Sequence, residues 1–160
     1  MSTPTETTAL ARRWRLQINM NYPEDQVTPD WQTVLGIAEF TPPAPDPNIE
    51  DSSDYESGGW NGNTKTAQEW ELPVTLNRKI NDQVKVFHPT HEKLRLAGWK
   101  FGSGSKAHVR WFDRDGLPEA YEGKGVVKWE YSGGEHTALE QVEVTITGDG
   151  ELLLIDNPGV

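Results

Sequence analysis

Two histidines and a glutamate that lie close together are the first candidates for chemistry. His88 and His91 are three positions apart, and Glu92 follows directly. Imidazole and carboxylate groups on one helical face can bind zinc. However, Pro89 favours an extended conformation at His88, so a helix would begin after it, and no third ligand is placed by spacing. We therefore expect no metal here, and no cofactor in the protein.

A second pattern has the spacing of part of a calcium loop. Asp113, Asp115, Gly116 and Glu122 match positions 3, 5, 6 and 12 of such a loop. Position 1 would be Trp111, which has no oxygen ligand to offer. The dipeptide Asp115-Gly116 is also typical of a tight β-hairpin turn, which explains the same residues without a cation.

Pairs of carboxylates raise the possibility of glycoside hydrolysis. Such an enzyme needs two carboxyl groups that face each other across a cleft. The pairs Glu119 with Glu122 and Glu69 with Glu71 are sequence neighbours, and a chain with 25 acidic residues contains close pairs by chance. Residues 102–105, Gly-Ser-Gly-Ser, do not form the G-x-S-x-G turn of a serine hydrolase. The sequence therefore predicts that the protein is not an enzyme.

Length, charge and cysteine content argue against several further classes of protein. The 160 residues at 18.0 kDa are enough for one domain. A formal net charge of −10 repels a polyphosphate, which argues against nucleic-acid binding. With no cysteine there is no disulfide framework. The longest aliphatic run, residues 152–155, is too short for a bilayer, and the first residues lack the apolar stretch of a secretory signal, so we expect an intracellular product with no membrane partner.

Apolar residues alternate with polar ones over several short stretches, the period of a β-strand. Residues 14–20, 31–41 and 68–80 read as strands, and Pro73 predicts an edge or a bulge in the third. One helix is predicted over residues 90–101, with Thr90 as N-cap and Phe101 on its apolar face.

Turn residues organise the second half of the chain into hairpins. Residues 107–112 and 120–131 flank the turn at Asp115-Gly116, and residues 141–147 and 151–155 flank a Gly-Asp-Gly turn. The predicted fold is mainly β, an antiparallel sandwich or barrel with one flanking α-helix.

Three segments fall outside this pattern. Residues 1–11 and 156–160 read as a flexible N-terminal arm and a C-terminal tail around a domain of residues 12–155. Residues 42–66 are rich in Pro, Gly and acidic side chains and read as a long loop without secondary structure. This loop carries five carboxylates and two aromatic residues that suggest contact with a partner: Asp46, Glu50, Asp51, Asp54, Glu56, Tyr55 and Trp60.

Three arginines near the start of the domain form a basic group. Arg12, Arg13 and Arg15 either lie on an ordinary solvated strand face or meet the acidic loop of a neighbouring copy. The second interpretation gives the head-to-tail complementarity that a ring or filament needs.

The order of these pieces resembles a known family. The strand ARRWRLQI, the strand WQTVLGIAEFTP before the acidic loop, the stretch GGWNGNTKTAQEWELPVTLNRK, the hairpin HVRWFDRDGLPEAYEGKGVVKWE and the final TALEQVEVTITGDGEL resemble the major tail tube proteins of long-tailed bacteriophages of actinobacteria. The resemblance spans residues 11–155.

The resemblance implies a structural virion protein. Hexameric rings would stack into a tail tube that conducts the genome, with the tape measure, tail terminator and tail tip proteins as further partners and DNA only in passage. The protein would assemble in the host cytoplasm and reside in the virion tail. An acidic or neutral lumen suits such a conduit, and two faces are candidates for its lining: Glu69, Glu71, Thr75 and Asn77, or Gln141, Glu143, Thr145 and Thr147.

The alternative is a monomeric binding module. Seven tryptophans are many for a small core, and exposed indole rings can stack on sugars. A carbohydrate-binding β-sandwich explains the tryptophans, but it does not explain the acidic loop.

Overall fold

A computed structural model describes residues 6–159 and shows a mainly β protein. The strands, in chain order, are β1 (Trp14–Asn19), β2 (Trp31–Thr33), β3 (Ile37–Phe40), β4 (Asp46–Asp51), β5 (Asn63–Glu69), β6 (Glu71–Asn77), β7 (Ile80–Asn81), β8 (Val86–Phe87), β9 (Lys106–Asp113), β10 (Ala120–Tyr131), β11 (Gln141–Gly148) and β12 (Leu153–Leu154). The helix α1 (Pro89–Ala97) lies between β8 and β9.

The main sheet is antiparallel and rolls into a barrel. Its strand order is β2-β1-β9-β10-β11-β6-β3, with β12 also paired to β10. A short link joins the two outer strands β2 and β3, and it is attached to the strands on both sides. Val34 N–H bonds to Leu16 O on β1 at 2.9 Å, and Gly36 O accepts a bond from Asn77 N–H on β6 at 2.6 Å. Only Leu35 separates these two attachments, so the sheet closes on itself.

Gly36 is required at this closure. Its φ of 78° lies in the left-handed region, and a Cβ there would collide with Asn77 O. The predicted strand over residues 31–41 is therefore wrong as a single element: it is interrupted at Gly36 and yields β2, which pairs with β1, and β3, which pairs with β6.

The alternating apolar residues of the strands fill the barrel. Inward residues of β1, β6, β9 and β11 are almost fully buried, and Trp111 lies at the centre with no exposed surface. Leu94 and Ala97 on α1 join this core, so the helix covers one opening of the barrel.

Pro73 lies where β6 has a partner on only one side. Successive residues of a strand direct their main-chain groups to alternate sides. The even-numbered Trp70 and Arg78 bond on the β11 side, whereas the N–H of the odd-numbered Asn77 bonds on the β3 side. Pro73 therefore points its nitrogen to the β3 side, and the pairing with β3 ends at Val74. This local edge confirms the prediction for Pro73.

The helix is shorter than predicted. His88, not Thr90, is the N-cap, and Pro89 occupies the first helical turn. The helix ends at Ala97. Gly98 packs against Trp129, and the following N–H groups bond to the carbonyl three residues earlier, as Lys100 N–H does to Ala97 O at 3.3 Å. Phe101 therefore leaves the helix and is exposed.

Residues 42–66 are not a structureless loop. Strands β4 and β5 form an antiparallel two-stranded sheet of their own, with Asp46 opposite Glu69 at its base and Asp51 opposite Asn63 near its tip. Every residue of both strands is exposed, so the hairpin projects from the barrel. We call residues 46–69 the arm hairpin.

The chain ends are partly attached. Of the predicted N-terminal arm, residues 1–5 lie outside the described residues, residues 6–10 have no regular secondary structure, and Ala11–Arg13 form a 3-10 turn. In the C-terminal segment, the Asn157 amide donates to Asp113 O and Leu117 O at 2.8 and 2.7 Å, which holds this segment against the β9–β10 turn.

Candidate functional site

The two polar faces predicted from sequence form one surface. Strands β6 and β11 are neighbours, with Glu71 opposite Thr147, Thr75 opposite Glu143 and Pro73 opposite Thr145. At one end, Gln141 Nε2 donates to Asn77 Oδ1 over 2.9 Å. We call this outward side of β3, β6, β11 and β10 the polar face. Glu69 is not part of it, because it ends β5 in the arm hairpin.

The polar face carries an excess of negative charge. Beside Glu71 and Glu143, it includes Glu39 on β3 and Lys128 and Glu130 on β10, for a net formal charge of −3. Glu143 and Glu130 lie directly opposite each other. Like charges in that arrangement destabilise a sheet, so folding of the isolated chain gains nothing from this pair.

The arm hairpin has an ordered tip. Asp54 caps a 3-10 turn (Tyr55–Ser57) by accepting a bond from Glu56 N–H at 3.0 Å, and Ser57 Oγ accepts a bond from Asp54 N–H at 3.0 Å. Ser53 Oγ accepts a bond from Gly62 N–H at 2.7 Å across the tip. Hydrogen bonds from Ser53 lower the pKa of Asp51, so this carboxylate stays ionised. The tip presents Tyr55 and Trp60 to solvent, and both residues are almost fully exposed.

Trp70 fixes the arm hairpin to the barrel. This single residue separates β5 from β6, and it is buried against Trp111, with ring centroids 5.7 Å apart. Its carbonyl accepts a bond from Gly148 N–H at 2.9 Å. Its indole lies so close to the Cα atoms of Gly148 and Gly123 that a Cβ at either position would collide with the ring.

The three predicted arginines are not equivalent. Arg13 Nε pairs within the chain, 3.0 Å from Asp115 and 3.5 Å from Asp113, which ties β1 to the β9–β10 turn. Arg12 is exposed and Arg15 is half-buried, and neither forms an ion pair within residues 6–159. Sequence alone did not separate Arg13 from the other two, because Asp113 and Asp115 are distant in the chain.

The barrel has two distinct ends, which we name by the elements found there. At the arm end, Trp70 contacts Gly123 and Gly148, and Arg13 meets the β9–β10 turn. At the helix end, Gly98 packs on Trp129. Trp129 lies six residues beyond Gly123 on β10, a distance of about 20 Å along the strand.

Sequence reasoning missed one exposed segment beside the helix end. Trp99 and Phe101 follow α1, with Lys100 between them. The two aromatic residues are 75% and 94% exposed. The helical spacing had assigned Phe101 to a buried face. The signal available in the sequence was Gly98, which ends α1 before the aromatic pair.

The candidate metal residues are engaged in other contacts. His91 Nδ1 accepts a bond from Lys79 N–H at 3.3 Å, and His88 Nδ1 contacts Thr90 Oγ1 at 2.7 Å. Asp113 and Asp115 meet at Arg13, whereas Glu122 bonds to His108 Nε2 at 3.0 Å. Among the described residues, no three His, Asp or Glu side chains are grouped as a metal would require.

The two glutamate pairs also have separate environments. Glu119 accepts a bond from the Tyr121 hydroxyl at 3.0 Å, and Glu69 and Glu71 belong to different sheets. In the same described part of the chain, no helix has the length and apolar character needed to cross a membrane.

Comparison with known proteins identifies the fold. No protein-family model and no curated protein matches the chain. Its structure is similar to a chain in the tail of an empty gene transfer agent particle with C6 symmetry, with a TM-score of 0.69 and 15% identity over 92% of this chain and 99% of that chain. A chain of the native gene transfer agent virion gives a TM-score of 0.67 at 15% identity, covering 91% and 97%.

A third similar structure comes from the baseplate of the anti-feeding prophage, 6-fold symmetrised, with a TM-score of 0.62 and 10% identity over 96% of this chain and 97% of that chain. Each of these likenesses covers more than nine-tenths of this chain. The predicted fold class is confirmed: the chain has the mainly β, antiparallel fold of phage tail tube proteins.

Proposed function

We propose that this chain is the tail tube protein of a long-tailed phage-like particle with an actinobacterial host. Copies of the chain form hexameric rings, and the rings stack into a tube that conducts DNA. The supporting observation is the joining of the two polar strands into one acidic face on a rigid barrel with a projecting arm hairpin. The symmetry of the similar tail and baseplate structures agrees with a six-fold ring.

The polar face is our candidate for the lumen lining. Its carboxylates and hydroxyls offer hydrogen-bond groups to water and a net negative charge to DNA, which discourages adhesion of the phosphate backbone. A lumen of this kind also explains why Glu143 and Glu130 remain opposite each other at a cost to monomer stability.

The arm hairpin and the arginines are our candidates for contacts between copies. The arm hairpin has no core of its own and carries acidic residues and exposed aromatics, the composition of a segment that packs on a partner. Arg12 and Arg15 lie toward the arm end, where the base of a lateral neighbour's arm, Asp46 and Glu69, supplies opposite charge.

The remaining assignments follow from this role. The protein acts structurally, it assembles in the host cytoplasm, and it resides in the virion tail. Tape measure, tail terminator and tail tip proteins are the further partners of the tube. DNA passes through it without forming a stable complex.

Electron microscopy and chemical labelling test the proposal together. Negative staining of the purified protein over a range of concentration and salt should show rings or tubes with a central channel. In the natural cysteine-free background, Thr145→Cys in tubes should react with a small maleimide but not with a bulky polymer maleimide. Val27→Cys, exposed in the loop between β1 and β2 and outside the polar face, is the control and should react with both. Particles that stay monomeric throughout, or equal labelling of the two variants in tubes, would contradict it.

The second candidate is the carbohydrate-binding module. Trp60 and Trp99 are exposed, as stacking on sugars requires. They belong to the arm tip and to the helix end, so they do not form one stacking platform. Retention of a concentration-independent monomer on a glycan array would favour this function over the tube.

A further inference from the structure

Two exposed aromatic segments lie on opposite parts of the molecule. The first is the tip of the arm hairpin, with Tyr55 and Trp60. The second is the segment Trp99, Lys100 and Phe101 after α1, which we call the post-helix segment. Large aromatic side chains are the commonest anchors of protein interfaces, and both segments leave theirs in water in the single chain.

Both segments have an ordered backbone in the single chain. The arm tip is held by the Asp54 cap and by the bond from Gly62 N–H to Ser53 Oγ. The post-helix segment is held between Gly98, which packs on Trp129, and a 3-10 turn (Gly102–Ser105) closed by a 2.6 Å bond from Ser105 Oγ to Gly102 O. Docking of two ordered surfaces loses little conformational entropy.

The charges of the two segments are opposite. Residues 51–62 of the arm tip contain Asp51, Asp54 and Glu56 and no basic residue. Lys100 is exposed between the two aromatics of the post-helix segment and forms no ion pair within residues 6–159. The neighbouring β7–β8 hairpin is also apolar, but its Lys85 pairs with Asp82 at 3.0 Å, so it offers no net positive charge.

The positions of the segments favour head-to-tail contact. The arm hairpin starts from the arm end at Trp70, and the post-helix segment starts at Gly98 beside Trp129 at the helix end. Complementary surfaces at opposite ends of one rigid body cannot meet within a chain. When copies meet end to end, each contact leaves one surface of either copy free, and the contact repeats between successive copies.

We propose that the arm tip of one copy docks on the post-helix segment of a second copy in the next ring. This inference rests on the proposed tube function and names the receiving surface for the arm. Tyr55 and Trp60 pack on Trp99 and Phe101, and Lys100 meets the carboxylates around Glu56.

Engineered cysteines in the cysteine-free chain test the contact directly. Tubes assembled from equal amounts of Asn61→Cys and Ser103→Cys, two exposed positions that leave the four aromatic anchors in place, are oxidised or treated with a short bismaleimide. A covalent dimer containing one copy of each variant is expected. Val84→Cys, on the competing β7–β8 hairpin, and Val27→Cys, in the loop between β1 and β2, replace Ser103→Cys as matched exposed controls.

The outcomes separate this inference from the proposed function. Tubes with a covalent link between positions 61 and 103 support both. Tubes in which Asn61→Cys links to Val84→Cys or Val27→Cys, and not to Ser103→Cys, overturn the docking site and leave the tube intact. Absence of any ordered assembly of the wild-type chain overturns the proposed function and this inference with it.

A charge exchange checks the polar part of the contact. Glu56→Lys spares the Asp54 cap, since Glu56 contributes only its N–H to that bond. Glu56→Lys and Lys100→Glu should each raise the critical concentration for tube assembly about tenfold, the size of a moderate hot-spot loss. The double variant should recover at least half of the loss. Lack of recovery would remove Lys100 from the contact.

Discussion

The imidazole of His91 on α1 donates a hydrogen bond from Nε2 to the carbonyl oxygen of Leu35, 2.7 Å away, at the point where the barrel closes. Its other nitrogen accepts from Lys79 N–H, which fixes the proton on Nε2. His91 is fully buried. One neutral side chain therefore links the helix, the link between β2 and β3, and the end of β6.

This link predicts acid sensitivity. Burial lowers the pKa of His91, and the nearby His88, Arg78 and Lys79 lower it further, against the bond to Leu35. Because the folded pKa is below the unfolded value of about 6.5, stability is full above that pH and is lost as the pH falls below it. The free energy of unfolding measured in urea should therefore be smaller at pH 5.5 than at pH 7.5.

His91→Leu should cost about 2–3 kcal/mol at pH 7.5, since it leaves Lys79 N–H and Leu35 O without partners. It should also lose less stability than wild type on acidification. His108, whose pKa burial also lowers, is retained in both proteins. The exposed His136→Gln is the control and should behave as wild type. An unchanged pH slope in His91→Leu would contradict the assignment.

The contact between Trp70 and Gly148 predicts a steric limit at the base of the arm hairpin. Gly148→Ala places a methyl group against the indole ring, and the displacement should cost about 1–3 kcal/mol. Thermal unfolding measures the loss, and near-ultraviolet circular dichroism reports the displaced tryptophan. Gly104→Ala meets only the flexible Lys100 side chain and should change neither signal. Equal stability of the two variants would show that the ring is not fixed by Gly148.

Local patterns predicted the barrel strands well. In β1, β9 and β11, one face is buried, so apolar and polar residues alternate with period two. The hairpin turn at Gly116, with φ of 90°, was visible as Asp-Gly. These features depend on residues that are neighbours in the sequence, and they can therefore be predicted from it.

Features that depend on distant partners were not predictable. Strands β4 and β5 are exposed on both faces, so no alternation marks them, and only their mutual pairing makes them strands. The union of the two polar faces depends on the register between β6 and β11, which are far apart in the chain. Arg13 likewise shows its ion pairs only after β1 has paired with β9.

The opposition of Glu143 and Glu130 predicts a gain in stability on neutralisation. Glu143→Gln removes one of two like charges on adjacent strands and should stabilise the monomer by about 0.5 kcal/mol at low salt. The gain should shrink at high salt, where screening weakens the repulsion. Glu135→Gln, in an exposed segment, is the control. A loss of stability at low salt would show that Glu143 is favourably paired.

The separate positions of the arginines predict separate effects. Reversing Arg12 and Arg15 to glutamate should weaken tube assembly at low salt without altering monomer stability, as a contact between copies requires. Arg13→Gln should instead destabilise the monomer slightly, by less than about 1 kcal/mol, because its ion pairs are within the chain and near the surface. Light scattering measures assembly, and urea unfolding measures stability. Unchanged assembly of the double reversal at low salt would leave Arg12 and Arg15 as a solvated face.

The independence of the arm hairpin predicts that folding and assembly can be separated. Asp46 and Glu69 are directly opposite each other at its base, so an Asn-Gly turn can replace residues 47–68 and leave Trp70 in place. No buried residue is removed, so the unfolding free energy should stay within about 0.5 kcal/mol of wild type. Electron microscopy should show no tubes. Glu50→Gln keeps both strands of the arm and should still assemble. Normal tubes from the shortened chain would mean that contacts between rings are made by the barrel alone.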